Sequence, residues 1–269
     1  MKHNNISIFI PHIGCPNLCS FCNQRTISGS QNAPTAEYVR ELCEKASNEI
    51  ENPESSEIAF FGGSFTAIPK EYMIELLKMA NKYVVDGKFK GIRISTRPDC
   101  INSEILSILK KYGVTSIELG AQSMDDDVLQ LNERGHTAED VVKASHLIRE
   151  AKIELGLQMM VGLYGSTPEK EFATFERIRK LFPDTLRIYP VVILKGTKLA
   201  ELYHAGIYVP YDFEDAIEIC SIIMERAEHN NVKLIKVGLH ASEFVERDMI
   251  GGFYHPAFRE LCENRIYLK

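Results

Sequence analysis

Residues 91–122 read GIRISTRPDCINSEILSILKKYGVTSIELGAQ, a strand, a helix and a second strand in one pass. Gly91–Thr96 is a short β-branched run, and Pro98 prevents a regular ladder from continuing past it. Ser103–Tyr112 then carries apolar residues at helical period, with Ser103 placed to cap the helix ahead of Glu104. Ser116–Gln122 is again a strand. The same unit recurs on both sides. Further strands are expected at Ile6–Ile13, Ile58–Gly62, Glu154–Gly162 and Leu186–Leu194, with a weaker seventh at Val232–Leu239. Helices are expected over Ala36–Ile50, Lys70–Val85, Ala138–Glu150, Pro168–Leu181 and Asp212–His229, with Thr35 and Thr137 as caps before acidic first turns.

Strand followed by helix, repeated about six times, calls for parallel strands joined by right-handed crossovers. A doubly wound open sheet and a barrel both satisfy that pattern. The even spacing, and the lack of a GxGxxG fingerprint after the first strand, favour an α/β fold of the partial (β/α)6 TIM-type barrel kind. One domain over residues 1–240 is expected, with residues 241–269 a C-terminal extension packed on the barrel.

The composition agrees. The chain has 269 residues, 45% of them hydrophobic and 25% charged, which excludes disordered, collagen-like and coiled-coil classes. Its net charge of −6 provides no global positive field for a polyanion or an anionic membrane, although a local basic groove is compatible with it. No apolar stretch reaches the roughly 18 residues of a membrane span, and no secretory leader opens the sequence, so a cytoplasmic protein without membrane attachment is expected.

Seven cysteines are too few for a disulfide scaffold, yet Cys15, Cys19 and Cys22 crowd into the loop after the first strand. Thiolates gathered this way suit zinc or an iron–sulfur cluster. A zinc site would want a fourth ligand, for which His12 and Cys43 are the near candidates; a cluster held by three cysteines leaves one iron open. Cys43, Cys100, Cys220 and Cys262 read as dispersed. Other strand ends carry chemistry too. Gly62, Gly63 and Ser64 follow the second strand, where adjacent glycines let a ligand approach backbone, although a tight turn reads the same way. Thr96 and Arg97 close the third. Glu118, Gly120 and Gln122 share one face of the fourth, and an inward Glu118 demands a partner, for which Arg97 and Arg134 are the candidates. Gln158 interrupts an apolar fifth strand beside Met159 and Met160, which read as core, and Tyr189 stands near the end of the sixth. His136 reads as a loop histidine. His255 and Arg259 lie among aromatics in the tail, and Lys236 and His240 near the weak seventh strand; each fits a packed terminus as well as a substrate contact.

Cys15-x3-Cys19-x2-Cys22, with Phe21 before the third cysteine, resembles the cluster loop of the radical S-adenosylmethionine (SAM) superfamily. The resemblance implies a [4Fe-4S] cluster on the three cysteines, its open iron chelating the SAM methionine moiety, and reductive cleavage to a 5′-deoxyadenosyl radical. It implies SAM contacts at Phe21, Gly62, Gly63, Ser64, Thr96, Glu118, Gln122, Arg134, Gln158 and Tyr189, with Arg134 against the SAM carboxylate and Gln158 near adenine and ribose. It also implies an electron donor such as flavodoxin or ferredoxin. Residues 6–240 further resemble the radical core of the Elongator catalytic subunit and its bacterial relatives, through Arg187–Ile193, Gly196–Leu199 and Gly206–Pro210. No acetyltransferase domain is expected after residue 240, and the acidic charge weakens a nucleic-acid substrate. Porphyrinogen-oxidase relatives share the cysteine loop; methylthiotransferases need further cluster ligands. The expected function is hydrogen abstraction from an unidentified substrate, with a small molecule among the candidates. The alternatives are a tRNA-modifying radical enzyme and a non-catalytic zinc-stabilised binding module.

Overall fold

The computed structural model of the chain describes residues 5–11, 15, 18–23, 26–27, 32–240 and 242–268. Strand β1 (Asn5–Ile10) pairs in parallel with β2 (Glu57–Gly62), followed by β3 (Gly91–Thr96), β4 (Val114–Gln122), β5 (Glu154–Val161) and β6 (Thr185–Pro190). After β7 (Val192–Leu194), which lies outside this sheet, β8 (Leu234–Val237) adds the seventh strand against β6. The order runs straight through the sequence, β1-β2-β3-β4-β5-β6-β8, and the seven parallel strands curl into a half-barrel. A doubly wound sheet would reverse its order at a switch point, and this one does not.

Ten helices are seen among the described residues: α1 (Ala36–Glu49), α2 (Lys70–Val85), α3 (Ser103–Lys111), α4 (Asp126–Leu131), α5 (Ala138–Glu150), α6 (Pro168–Arg179), α7 (Lys198–His204), α8 (Phe213–His229), α9 (Glu243–Asp248) and α10 (Phe258–Tyr267). Thr35 accepts from the Tyr38 amide, and Thr137 forms a reciprocal capping box with Asp140. The third helix departs from expectation at its cap. Asn102, one residue earlier than Ser103, accepts from the Ile105 amide, and Ser103 becomes the first helical residue.

Alternation within the strands divides the sheet into two chemistries. One face carries Ile6, Ile8, Ile58, Phe60, Ile92, Ile94, Ile117, Leu119, Leu155 and Leu157, all buried in one apolar core with the helices. The other face, lining the barrel, carries Glu57, Arg93, Glu118, Gln158 and Arg187, joined by hydrogen bonds.

Two expected strands are corrected. Leu186–Leu194 is two strands, because Val191 leaves the main ladder: its amide donates to the Val161 carbonyl, while its own carbonyl accepts from Phe253. Beyond it, β7 pairs antiparallel with β9 (Met249–Gly252), tying residues after 240 to the barrel rim. The seventh strand is shorter than Val232–Leu239, since Gly238 turns the chain at φ +84°. The expected continuation of β1 through Ile13 falls partly outside the described residues. Gly238 is also where α10 arrives, since a Cβ there would lie 2.8 Å from Cβ of Phe258.

Candidate active site

The cysteine loop leaves β1 at the carboxyl end of the sheet, and bonds from distant segments set its path. Ser20 donates through its amide and hydroxyl to the carbonyl (3.1 Å) and side-chain oxygen (2.9 Å) of Asn132, and its own carbonyl accepts from Leu199 (2.7 Å). Further on, Thr26 donates to Asp248 at 3.0 Å. Cys22 turns back to donate its amide to the Cys19 carbonyl at 3.0 Å.

Hydrogen-bond donors and cations face the sulfurs. Arg134 Nη1 donates to Cys19 Sγ at 3.0 Å, and Nη2 donates to the Gly120 carbonyl at 2.6 Å. Burial pushes the Cys15 thiol up, opposed by the Ser64 amide and by the charges of Arg97 and Arg134. The same three groups would stabilise thiolate ligands. Gly120 leaves room for this: a Cβ there would sit 2.9 Å from Gln122 Nε2 and 3.3 Å from Arg134 Nη2. Gln122, in a left-handed conformation at φ 65° after a bulge against β5, folds back over Gly120.

The expected residues at the ends of β2 and β3 come together. Ser64 Oγ lies 2.8 Å from Thr96 Oγ1 and accepts from the Arg97 amide at 3.2 Å, and Thr66 Oγ1 lies 2.6 Å from the same Thr96 oxygen. Gly62 has φ +102°, a backbone state that needs no Cβ. Phe21 is half-buried against the main core. Two further residues join this group, Arg97, expected at the end of the third strand, and Cys100, which read as dispersed. Arg97 is buried and gripped in a two-pronged pair by Asp99, at 2.9 Å on both sides. The Cys100 thiol, pushed up by burial, reaches Ser64 and Arg97, so Cys100 belongs to the mouth rather than being dispersed. Cys220 and Cys262 are likewise paired, thiol to thiol, between α8 and α10. Cys43 is buried on α1 with its thiol pushed up to about 12, and His12 lies outside the described residues.

Glu118 occupies a second, deeper group. Its partners are neither Arg97 nor Arg134. Arg93 Nη1 (3.2 Å) and Arg187 Nη2 (2.7 Å) donate to one carboxylate oxygen, and Gln158 Nε2 (2.9 Å) to the other. Register explains the choice: Glu118 stands beside Ser95 and Gly156 at mid-sheet, while Arg97 and Arg134 lie beyond the strand ends. Arg93, fully buried, also binds Glu57 and Glu154 at 2.8 Å each. Gly156 leaves the room, since a Cβ there would meet Glu118 Cγ at 2.9 Å. Tyr189, half-buried, hydrogen-bonds Arg187, whose guanidinium lies over the Phe61 ring at 5.4 Å. The expected residues thus form two tiers, a mouth with Cys15, Cys19, Ser64, Thr96, Gln122 and Arg134, and a lumen with Glu118, Gln158 and Tyr189.

The mouth fits an anionic cluster and a polar ligand. Arg97 Nη1, Arg134 Nε, Gln122 Oε1 and His136 Nδ1 are buried there with no hydrogen-bond partner. Buried polar atoms without partners are rare and ask for a ligand or water. Among the described residues no three Cys, His, Asp or Glu side chains converge to hold a single metal ion. A cubane asks for a different arrangement, one sulfur for each of three irons.

Comparison with known proteins names the family. The Radical SAM superfamily matches residues 9–178, and the Radical SAM C-terminal domain matches residues 183–267. The chain belongs to the radical SAM superfamily. It is therefore an enzyme, and its cofactors are a [4Fe-4S] cluster and SAM. A tRNA uridine(34) acetyltransferase of Methanocaldococcus infernus is 30% identical over 185 residues, covering 61% of this chain and 35% of that protein. Human Elongator complex protein 3 is 30% identical over 190 residues, covering 62% and 34%. The chain thus matches about a third of the length of these relatives. The structure of Methanocaldococcus infernus Elp3 with an N-terminal deletion superposes with a TM-score of 0.76 at 22% identity, over 100% of this chain and 64% of that one, and shares the fold. Among the described residues, no helix of this radical SAM enzyme is long and apolar enough to cross a membrane.

Proposed function

We propose that Cys15, Cys19 and Cys22 hold the cluster, that Ser64, Thr96, Gln122 and Arg134 seat SAM across the strand ends, and that a substrate facing the lumen loses a hydrogen atom there. One observation supports this above others: the thiol loop stands over the carboxyl ends of the strands, with Arg134 linking a cluster cysteine to the sheet at Gly120. When bound and reduced, the cluster supplies the electron that cleaves SAM to a 5′-deoxyadenosyl radical. The chain's residues do the rest. The Ser64 amide and Arg134 place positive charge at the ligating sulfurs, which favours the reduced, more negative state. Arg134 Nε and Arg97 Nη1 are donors for the SAM carboxylate. Gln158 stays fixed on Glu118 in the lumen wall, together with Tyr189 and Arg187. A reductant of the flavodoxin or ferredoxin kind would supply the electron.

Anaerobic reconstitution is expected to give about four iron and four sulfide per chain, with 5′-deoxyadenosine released on dithionite reduction. The variant with Cys15, Cys19 and Cys22 all replaced by Ala should keep its fold and bind no cluster; unchanged iron content in it would sink the assignment.

A second reading concerns the substrate. The similarity to tRNA uridine(34) acetyltransferases favours tRNA over a small molecule, against the net charge of −6. Affinity for tRNA that falls steeply with salt, and deuterium passing from labelled tRNA to 5′-deoxyadenosine, would support it.

A further inference from the structure

Arg187 and Lys236 are register partners on neighbouring parallel strands, so their side chains leave the same face of the sheet side by side. That face is the lumen, since Arg187 reaches Glu118 on it. Like charges opposed across a ladder destabilise a sheet. The usual remedy is a carboxylate between them, and here there is none. Glu118 takes Arg187 and Arg93 but not Lys236, and Lys236 forms no hydrogen bond or ion pair with any described residue. The residues outside the described set include no Asp or Glu. Lys236 is instead half-buried among cations: its ammonium is pushed down by burial and then by Arg187 and Arg259, and His240 is pushed down by burial and by Lys236 in turn.

Two further donors lie in the neighbourhood, one buried and one exposed. Arg187 Nε is buried without a partner. Arg259 stands in the first turn of α10, whose cap position, Ala257, offers no side-chain acceptor, and its hydrogen bond among the described residues is an exposed one from Nε to Glu263 at 2.7 Å. Uncapped first-turn amides favour an anion. Phe258, packed against Gly238, holds this helix start two residues along the chain from Lys236.

We propose that Lys236, Arg187 and Arg259 form a receptor for a phosphate group carried by the substrate. The inference rests on the proposed reaction and narrows its substrate class. A carboxylate would be satisfied by one arginine fork, and the Arg187 fork is already used on Glu118 and Tyr189. Donors arriving from two strands and a helix start instead suit an anion whose oxygens point several ways and whose charge approaches −2. The receptor lies at the β8 edge, where Ile27 of the segment after β1 and Leu239 pack on one apolar cluster.

The test uses the reconstituted full-length protein, with inorganic phosphate, AMP and total tRNA as probes at matched ionic strength. Phosphate at saturating concentration should raise the melting temperature of the wild type by about 2–4 °C or more. Lys236→Met should bind the probes at least about tenfold more weakly, and Lys236→Arg should retain binding. Without phosphate, Lys236→Met should melt above the wild type, because a repelled charge has gone. A wild type unmoved by all three probes, equal binding by Lys236→Met, or a loss of stability in that variant without phosphate would each overturn the proposal. Dependence on Lys236 for AMP but not tRNA assigns a small phosphorylated substrate; dependence for tRNA, with displacement by inorganic phosphate, assigns RNA phosphate. Release of 5′-deoxyadenosine by the wild type reports separately on the radical reaction, so the two readings fail independently.

Discussion

Gly120 shows how much of the site rests on an absent side chain. Replacing it with Ala puts a methyl carbon 2.9 Å from Gln122 and 3.3 Å from Arg134. We expect Gly120→Ala to fold, to bind iron, and to change the electron paramagnetic resonance signal of the reduced cluster as Arg134 leaves Cys19; an unchanged spectrum would separate Arg134 from the cluster. His136 offers a second test. Burial, with the Arg134 and Arg97 charges beside it, pushes its pKa down to about 4, so the folded state holds it neutral. The unfolded chain binds the proton near pH 6.5, so stability is full above that value and is lost as pH falls toward 4, by up to about 3 kcal/mol. Denaturant melts from pH 7 to pH 4 should show this slope in the wild type and a shallower one in His136→Gln. Several such residues were legible beforehand: Thr35 and Thr137 cap as expected, because a cap is a local contract between neighbours in sequence. The partner of Glu118 was not legible. Which arginine reaches it depends on strand register, and register is not written in any one segment.

Among the elements, the sequence is most legible where period and ends agree. Lys70–Val85 and Ala138–Glu150 appear as expected, each an amphipathic helix with acidic residues in its first turn. It is least legible where an apolar run changes partners: Leu186–Leu194 looks continuous, yet passes from β6 to β7 at Val191 because β9 waits beside it. Residues after 240 had too little periodicity to show that pairing. The lumen shows what the strands hold in common. Arg93, with none of its side chain exposed, neutralises Glu57, Glu118 and Glu154 from three different strands. Arg93→Met should destabilise the protein by about 3–5 kcal/mol, since it strands buried carboxylates. Chemical denaturation measures this, and restoring part of the loss with Glu57→Gln would show that unpaired charge is the cause.

At the scale of the whole molecule, the half-barrel fold was legible and its closure on the C-terminal side was not. The alternation of strand and helix carries the first; the second depends on contacts such as Thr26 with Asp248, which are 222 positions apart. That contact and the β7–β9 pair anchor the cysteine loop to the end of the chain. Asp248→Ala should therefore leave the melting temperature within a few degrees, since the bond is partly exposed. It should also speed loss of iron to a chelator, measured by the fall in cluster absorbance; an unchanged rate would detach the tail from the loop.

Ser20 carries a different consequence. It sits between two cysteines and is bonded on one side to Asn132, after β4, and on the other to Leu199, after β7. The proposed sulfur ligands are thus riveted to both halves of the molecule at once. Neither half has the means to part from the other while the rivet holds, so bleaching of the brown colour and collapse of the sheet should trace a single curve on heating.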